Sequence, residues 1–326
     1  MVKIGYMSDL SVEPSEKSLE HAVLAEKMGF QMVAAADHFY PWVHTGRSCT
    51  FAWVWLSVVA SRTNGVPVGT AVTAPILRYN PAVIAQAFGT LGELFPSRVF
   101  LGLGAGEAVN EAPVGYDWPS AGERVKRLEE ALIIIRGLLT EKSTTYAGEY
   151  FRVKDARLYS RPSTHVPLIL AASKRRTAEL AGRYADGIMT APQLFGPEIM
   201  RHFEEAATKA GRDPSKLEKH LNFGVSYDQD YEKALSSCRP FGATILPFIF
   251  EYGISDPREI EKYSRYVDER ELAKHWVITT SPEDCIRTVE NYAKRGITHF
   301  HVQSASPNEE SFVRMMGEKV VPYFRR

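Results

Sequence analysis

Short apolar segments alternate with longer amphipathic segments along the whole of this chain. The apolar segment "KIGYM" precedes the amphipathic "SEKSLEHAVLAEKMGF", and "VPVGTAVT" precedes "PAVIAQAFGTLGELF" in the same way. Apolar runs of about four to eight residues are typical of buried strands, and apolar residues at helical intervals are typical of amphipathic helices. Strands that alternate with helices predict a parallel sheet that is covered on both faces.

About eight such strands favour a closed (β/α)8 TIM barrel over an open doubly wound sheet. No GxGxxG motif follows the first strand, which also weighs against the open sheet. Two insertions interrupt the alternation, a hairpin at "YAGEYFRVKDARLY" and irregular helices over residues 229–274. We predict a single domain, 1–326, with Ser15 capping the first helix and Gly29 ending it. The predicted strands are "KIGYM", "QMVAAA", "VPVGTAVT", "RVFLGLGA", "PLILAA", "GIMTA", "NFGVSYD", "HWVITT" and "THFHVQS".

The composition excludes several classes of function. The 326 residues have a formal net charge of zero and a pI near 7.1, so no overall field attracts nucleic acid or an anionic membrane. The longest apolar runs are shorter than the roughly 18 residues that span a bilayer, and no signal peptide is apparent. Cys49, Cys238 and Cys285 are far apart and lack a zinc-type spacing. We therefore expect a cytoplasmic protein with no metal site.

Polar residues suited to acid–base chemistry follow two of the predicted strands, and in a barrel the strand ends hold the ligand. Asp37, His38 and Trp42 follow "QMVAAA", and Glu107 and Asn110 follow "RVFLGLGA". A histidine titrates near neutral pH and a half-buried carboxyl group can have a raised pKa, so His38 and Glu107 are acid–base candidates. The alternatives are a hydrogen-bonded structural histidine, a glutamate that complements a helix dipole, and a tryptophan that only packs.

Two further segments indicate a cofactor with a flat ring and a phosphate group. "GLGAGEAVNE" places glycines after a strand, where the backbone can approach a ring closely. "AASKRR" places a serine and three cations at a predicted helix start, where free amides bind anions. Cations oppose the helix dipole there, which favours a bound phosphate over the alternative of a solvated basic helix start.

The segments "ADHFYPW", "RYNPAVIAQAFGTL", "RVFLGLGAGEAVNE" and "AGRYADG" resemble those of the luciferase-like superfamily of barrel oxidoreductases. Over nearly its full length the chain resembles the members that use the deazaflavin coenzyme F420 to oxidise secondary alcohols or glucose 6-phosphate. The resemblance implies that His38, Trp42 and Glu107 are catalytic. In those enzymes the carbinol gives a hydride to C5 of the ring. The histidine takes the hydroxyl proton, the tryptophan steadies the alcohol, and the glutamate protonates N1.

The same resemblance implies that the cofactor is coenzyme F420, with FMN less favoured. It also implies which residues contact the coenzyme. Ala71–Val72 matches a non-proline cis peptide or bulge behind the ring. The segment that grips the phosphate corresponds to residues 171–174, although the family has a glycine pair where this chain has Ser173 and Lys174. The implied cofactor-binding residues are Asp37, Ala71, Val72, Thr73, Gly106, Asn110, Ala171, Ala172, Ser173 and Lys174.

Departures from the family pattern indicate the substrate. The sugar-phosphate enzymes hold the substrate phosphate with cations where this chain has Leu194, Glu251 and His275. Each lost charged hydrogen bond costs about 1.5–3 kcal/mol, so a less polar alcohol or ketone is favoured. Ser11 replaces a family glutamate and Glu13 follows two residues later, so that role is not transferred. The predicted substrate-pocket residues are Ser11, Thr190, Leu194, Phe250, Glu251 and His275.

Several alternatives stay open from the sequence: a sugar-phosphate dehydrogenase, a methylenetetrahydromethanopterin reductase, an FMN-dependent monooxygenase, or a non-catalytic cofactor carrier. The histidine and tryptophan of "DHFYPW" argue against the pterin reductase, and the acid–base residues argue against the carrier. The resemblance also suggests a homodimer. "FAWVWLSVVA" and "RYNPAVIAQAF" are apolar enough for an interface, but packing of these helices on the barrel explains them equally well.

Overall fold

The computed structural model describes residues 2–325, and parallel strands close into a barrel at its centre. Eight strands follow one another around it in the order β1-β2-β3-β4-β7-β8-β9-β11. The strands are β1 (Lys3–Ser8), β2 (Val33–Ala35), β3 (Val68–Thr70), β4 (Val99–Leu103), β5 (Thr144–Ala147), β6 (Arg152–Ala156), β7 (Leu168–Ala171), β8 (Gly187–Thr190), β9 (Glu218–Tyr227), β10 (Trp276–Thr279) and β11 (His299–Ser304).

Closure of the barrel is visible in the register of β9. Leu221 lies opposite Thr190 of β8 on one edge and opposite Phe300 of β11 on the other. β11 in turn pairs in parallel with β1, which completes the ring. The predicted (β/α)8 barrel is therefore confirmed, and its carboxyl-terminal strand ends all meet at one face.

The segment "HWVITT", expected among the barrel strands, lies outside the barrel as β10. It pairs with residues 224–227 of β9, on the edge that β8 leaves uncovered beyond Leu221. The expectation is wrong because β9 is ten residues long and accommodates β8 and β10 in succession. This placement brings the insertion that precedes β10 to the carboxyl end of the barrel.

The barrel strands are buried on both faces, as their continuous apolar sequences predict. Every residue of β4 and of β8 is buried. Ile4 and Tyr6 belong to the large core between strands and helices, which extends along the chain to Val321. Met7 and Phe100 belong to a separate cluster inside the barrel.

Helices surround the barrel, and polar residues begin many of them. Asn80 accepts a hydrogen bond from the Ala82 amide ahead of Pro81, and Ser120 accepts one from the Glu123 amide. The α-helices are α1 (Ser15–Lys27), α2 (Ala52–Arg62), α3 (Pro81–Leu94), α4 (Ala108–Glu111), α5 (Ala121–Thr140), α6 (Arg175–Tyr184), α7 (Pro197–Lys209), α8 (Tyr231–Cys238), α9 (Pro247–Glu251), α10 (Pro257–Ser264), α11 (Glu269–His275), α12 (Pro282–Ala293) and α13 (Glu309–Met315).

The two ends of α1 differ in how well they were predicted. Ser15 is the first helical residue and Pro14 occupies the cap position, so the predicted serine cap is wrong. With a helical backbone Ser15 cannot fold back onto the first-turn amides, and its hydroxyl bonds that of Thr50 instead. Gly29 follows the helix with a φ of +90°, in the left-handed region that favours glycine, and the predicted stop is confirmed.

Both predicted insertions are present. β5 and β6 form the antiparallel hairpin, and the region of residues 229–274 contains α8 to α11 with a 3-10 helix at Arg239–Ile245. Among residues 2–325, none of the helices is both long and apolar enough to cross a bilayer.

Candidate active site

His38, Trp42 and Glu107 converge at the carboxyl end of the barrel. His38 and Trp42 lie in the loop after β2, and Glu107 lies in the loop after β4, so the two loops meet across the end of β3. His38 Nε2 is 3.7 Å from Glu107 Oε2. The rings of His38 and Trp42 are 5.5 Å apart. The side chains of His38 and Glu107 remain 14% and 32% exposed, so a ligand can reach both.

The backbone carbonyl of Tyr40 determines which nitrogen of His38 carries the proton. It lies 3.3 Å from Nδ1, and a carbonyl oxygen only accepts hydrogen bonds. Nδ1 therefore carries the hydrogen in the neutral ring, and Nε2 presents its lone pair on the side of Glu107. An imidazole in this tautomer can accept a proton from a substrate hydroxyl group.

Glu107 retains a proton more readily than an exposed glutamate. Burial raises the pKa of this carboxyl group, and the proximity of His38 and the Arg78 charge oppose the rise. Asn110 Nδ2 donates to Glu107 Oε2 over 3.2 Å, and Asn110 Oδ1 accepts from the Phe39 amide over 2.8 Å. Asn110 therefore links the two loops that provide the acid–base pair.

The insertion contributes an aromatic side chain to this site. Phe250 of α9 meets the ring of Trp42 at 5.5 Å in an edge-to-face arrangement, and Trp42 in turn contacts His38. Such aromatic pairs are worth about 0.5–1.5 kcal/mol beyond the area they bury. The contact fixes the insertion against the loop after β2 and gives the site an apolar wall.

A buried ion network next to His38 was not anticipated from the sequence. Arg78 Nη2 lies 3.1 Å from Asp37 Oδ1, and Arg78 Nε lies 3.5 Å from Glu111 Oε1. The arginine side chain is 6% exposed and both carboxylates are 0% exposed. Arg78 Nη2 also donates to the backbone carbonyl of Asp37 over 2.6 Å. Arg78 follows β3, and this strand-end position is the signal that could have identified it.

The network also changes the interpretation of Asp37 and Thr73, both expected to bind the cofactor. Thr73 Oγ1 donates to Asp37 Oδ2 over 2.7 Å, and Tyr79 OH donates to Asp37 Oδ1 over 3.2 Å. Both oxygens of this carboxylate therefore have protein partners. Burial raises the pKa of Glu111 to about 7, and the Arg78 charge opposes the rise. Asp37 thus holds the His38 loop through the network.

Small residues pack closely at the strand ends that precede and flank Glu107. The Ala71–Val72 peptide bond is cis, as the resemblance implied. A Cβ atom at Gly104 would meet Val72 Cγ2 at 2.6 Å and Ala171 Cβ at 3.6 Å, so these three residues pack closely. Gly106 has a φ of +77°, which lets the chain turn toward Glu107 without strain.

The start of α6 presents amides and cations to solvent. Residues 173–176 are exposed, and Ala172 before them is buried. The amides of Ser173 and Lys174 reach the Thr177 hydroxyl only over 3.3 Å, a long contact that a better acceptor can replace. Arg175 Nε is paired with Glu179 over 2.7 Å, so this cation has a structural explanation.

The remaining predicted substrate residues have different environments. Ser11 is buried and donates to Asp9 through both its amide and its hydroxyl. Thr190 at the end of β8 is buried, and its hydroxyl has no partner among the described residues. These two residues lie at the carboxyl end of the barrel, and the orphaned Thr190 hydroxyl is a candidate ligand contact.

The three positions expected to replace phosphate-binding cations lie on the insertion or in a nearby loop. Leu194 is 39% exposed in the loop after β8, and Glu251 is exposed at the end of α9, next to Phe250. His275 ends α11, and its Nδ1 is buried without a partner among residues 2–325. Burial lowers the pKa of His275, so this residue is a weak cation.

The closed parallel barrel with polar residues at its carboxyl end defines a (β/α)8-barrel enzyme. The chain belongs to the luciferase-like monooxygenase family, whose model matches residues 3–299. The F420-dependent glucose-6-phosphate dehydrogenase of Microbacterium testaceum is 35% identical over 329 residues, covering 100% of this chain and 98% of that protein. The enzyme of the same name from Kribbella flavida is 36% identical over 330 residues, covering 100% and 99%.

Among solved structures, an F420-dependent secondary alcohol dehydrogenase in complex with an F420-acetone adduct superposes with a TM-score of 0.96 at 36% identity. The match covers 100% of this chain and 99% of that chain. The coenzyme F420-dependent tetrahydromethanopterin reductase of Methanopyrus kandleri shares the fold, with a TM-score of 0.81 at 19% identity over 99% of each chain.

Proposed function

We propose that this chain is a coenzyme F420-dependent oxidoreductase that transfers a hydride between the carbinol carbon of a secondary alcohol and C5 of the deazaflavin. The observation that carries the proposal is the acid–base pair of His38 and Glu107 with Trp42 at its side, near the closely packed residues Val72, Gly104 and Ala171. Relatives that are named as F420-dependent dehydrogenases, matched over the full chain, support the choice of cofactor.

The residues around the pair fit the shape and charge of such a coenzyme. Val72, Gly104 and Ala171 form a surface that a planar ring can lie against, and Thr190 offers a buried hydroxyl without a partner among the described residues. The exposed start of α6, with Lys174 before it, suits a phosphate group, because the amides of a helix N-terminus and an exposed cation adjoin each other there. When bound, the deazaflavin ring supplies the hydride acceptor.

The roles of the side chains follow from their geometry. His38 accepts the hydroxyl proton at Nε2, because Nδ1 is occupied by the Tyr40 carbonyl. As the carbinol carbon loses a hydride and its oxygen loses a proton, the alcohol becomes a ketone, and the reverse step returns both. Glu107, whose pKa is raised by burial, is placed to exchange a proton on the cofactor side of the pocket. Trp42 and Phe250 enclose the alcohol and limit access of water.

A secondary alcohol fits this site better than glucose 6-phosphate. Phe250 places an apolar ring against Trp42, and Glu251 beside it brings negative charge, which opposes a phosphate. Leu194 offers no charged hydrogen bond, and the lowered pKa of His275 reduces its positive charge. Glucose 6-phosphate is nevertheless the comparison substrate, because relatives of 35–36% identity are named for it.

The test mixes purified protein with oxidised coenzyme F420 and either a panel of small secondary alcohols or glucose 6-phosphate, and follows loss of the coenzyme's visible absorbance. We expect reduction with an alcohol and none with the sugar phosphate. Reduction with glucose 6-phosphate alone would overturn the substrate. Failure to bind the coenzyme, measured by fluorescence titration, would overturn the function itself.

Variants separate chemistry from binding. His38→Ala and Glu107→Gln should each lower kcat by about 10²–10⁴-fold, the range for general acid–base groups, while the Kd for the coenzyme changes little. His21→Gln is the matched control, because His21 forms a separate histidine–carboxylate pair. Its Nδ1 lies 2.7 Å from Glu13 Oε1. Unchanged turnover in the His38 or Glu107 variant would contradict the assigned roles.

The phosphate contact has its own matched pair of variants. Lys174→Ala should weaken coenzyme affinity more than it lowers turnover at saturation. Arg175→Ala, one residue later, should have the smaller effect, because Arg175 is already paired with Glu179. Equal dissociation constants for the wild type and Lys174→Ala would refute the phosphate assignment.

We also propose a homodimer built on α2 and α3. Val54 and Val83 on these helices are 61% and 50% exposed, and a second copy could cover this apolar surface. Val54→Lys should shift the mass measured by light scattering to that of a monomer, whereas Tyr266→Lys, at an 83% exposed site, should not. A monomeric wild type would refute the dimer.

We also propose that the chain forms a single domain, 1–326, and that the protein is cytoplasmic. The continuous core from Ile4 to Val321 supports one domain. The three cysteines are free, which fits a reducing compartment.

A further inference from the structure

The end of the barrel opposite the acid–base pair holds a cluster of histidines. β9 places Glu218 and His220 on the same face, two residues apart, and β11 places His299 and His301 likewise. The register pairs His220 with His299, so all four side chains gather at the first residues of these two strands. The cluster is separate from the carboxyl-terminal strand ends that form the active site.

Three of these side chains place candidate ligand atoms close together. His220 Nε2 is 2.9 Å from Glu218 Oε2, and His299 Nε2 is 3.5 Å from Glu218 Oε1. One ligand atom from each of the three residues lies within 4.8 Å of the others. Zinc–ligand bonds near 2.0–2.1 Å place tetrahedral ligands about 3.3 Å apart, and the two histidine–carboxylate spacings, each to a different oxygen of Glu218, lie on either side of that value.

The opposite nitrogens of both rings are held by the protein. His220 Nδ1 hydrogen-bonds His301 Nε2 over 2.8 Å, and His299 Nδ1 hydrogen-bonds the Thr298 hydroxyl over 2.8 Å. The rings of His220 and His299 are stacked with centroids 4.4 Å apart and an interplanar angle of 8°. Metal-binding histidines are characteristically oriented by such a bond at the nitrogen that does not bind the ion.

We propose that Glu218, His220 and His299 bind a divalent transition-metal ion of the Zn²⁺ class at the amino-terminal end of the barrel. Two imidazoles and a carboxylate are a ligand set that zinc prefers, with a fourth position for water. The Glu218 side chain is 35% exposed, which gives the ion a path from solvent.

The surrounding charges allow this ion. Each ring has its Nδ1 hydrogen-bonded within the protein, to His301 or to the Thr298 hydroxyl, so its Nε2 can offer a lone pair to the ion. The nearby Lys3 is exposed and can extend into solvent, so its ammonium group need not face the ion. Glu218 contributes the one negative charge among the three ligands.

The ion would link β9 to β11, two adjacent strands of the barrel. Because the site is at the end opposite His38 and Glu107, binding should raise the unfolding temperature without being required for turnover. The role we propose for the ion is to link the two strands, and it does not depend on the proposed reaction.

The test uses the full chain after removal of metals with a chelator. Calorimetric titration with Zn²⁺ should give one site per chain, and Co²⁺ should give visible absorption of a four-coordinate site without the near-ultraviolet band of a cysteine thiolate. Thermal unfolding with and without Zn²⁺ should show a higher midpoint with the ion.

Glu218→Gln and His299→Gln should each weaken Zn²⁺ binding by more than about tenfold, since loss of even an outer partner of a metal ligand costs 10–100-fold. His21→Gln should leave binding unchanged, because it alters the histidine–carboxylate pair with Glu13. Absence of binding to the wild type, or equal affinity in the wild type and Glu218→Gln, would overturn the proposal. Glu218 is partly exposed, so this variant should fold even if His299→Gln does not.

Discussion

Replacing Arg78 by methionine should destabilise the protein strongly. Methionine retains an apolar stem of similar length but carries no charge. Among the described residues, Arg78 is the only cation within salt-bridge distance of both Asp37 and Glu111. Both carboxylates are 0% exposed. Removing one partner of a buried ion pair costs about 3–5 kcal/mol, because the remaining charge is left without compensation. We therefore expect the free energy of unfolding to fall by about this amount at pH 8.

The loss in Arg78→Met should depend on pH. Burial already raises the pKa of Glu111 to about 7, and removal of the Arg78 charge takes away an opposing influence. When the pKa of a carboxyl group is higher in the folded state than in the unfolded state, its contribution to stability is fully present below the unfolded pKa, which is about 4.3 for glutamate. That contribution is lost as pH rises through the folded pKa. The destabilisation should therefore be smaller at pH 5 than at pH 8.

Urea unfolding at both pH values measures these differences, and Arg157→Met is the matched control. Arg157 pairs with Asp155 over 3.0 Å, but the two side chains are 45% and 63% exposed, so its removal should cost only about 0–1 kcal/mol. A loss below about 1 kcal/mol for Arg78→Met, or a loss that does not change with pH, would refute the reasoning about the buried network. Addition of Glu111→Gln to Arg78→Met should recover part of the stability.

Three further predictions concern other positions. Asp186→Asn should lower the free energy of unfolding by about 2 kcal/mol at pH 7, since the hydrogen bond with His165, the Arg136 charge and the Leu168 amide hold the pKa of Asp186 at about 2 against the effect of burial. This contribution is lost as pH falls from about 4 to 2, so urea unfolding at pH 7 and pH 2.5 should give different losses. Phe250→Ala should raise KM for the alcohol through the lost contact with Trp42, and an unchanged KM would place Phe250 outside the substrate pocket. Glu26→Gln should cost about 1.5–3 kcal/mol in urea unfolding, because its carboxylate accepts the amides of residues 64–66; a loss within 0.5 kcal/mol would argue against that role.

The candidate site was only partly predictable, for reasons that particular residues illustrate. His38 and Glu107 could be found because each directly follows a strand, and strand ends meet at one face of a barrel. Arg78 also follows a strand, but nothing local indicates that its guanidinium group turns back onto Asp37 and Glu111. The contact between Phe250 and Trp42 depends on where the insertion folds.

The sequence by itself determined the local elements and the class of fold. Apolar runs, helical periodicity, Pro81 at a helix start and Gly29 after a helix all act within a few residues, so their effects can be seen in the order of residues. Tertiary structure decided the rest, because it depends on pairing between distant segments. The length of β9 moved β10 out of the barrel. Its register with β11 placed His220 against His299, and the spacing of cysteines and histidines along the chain gave no indication of that cluster.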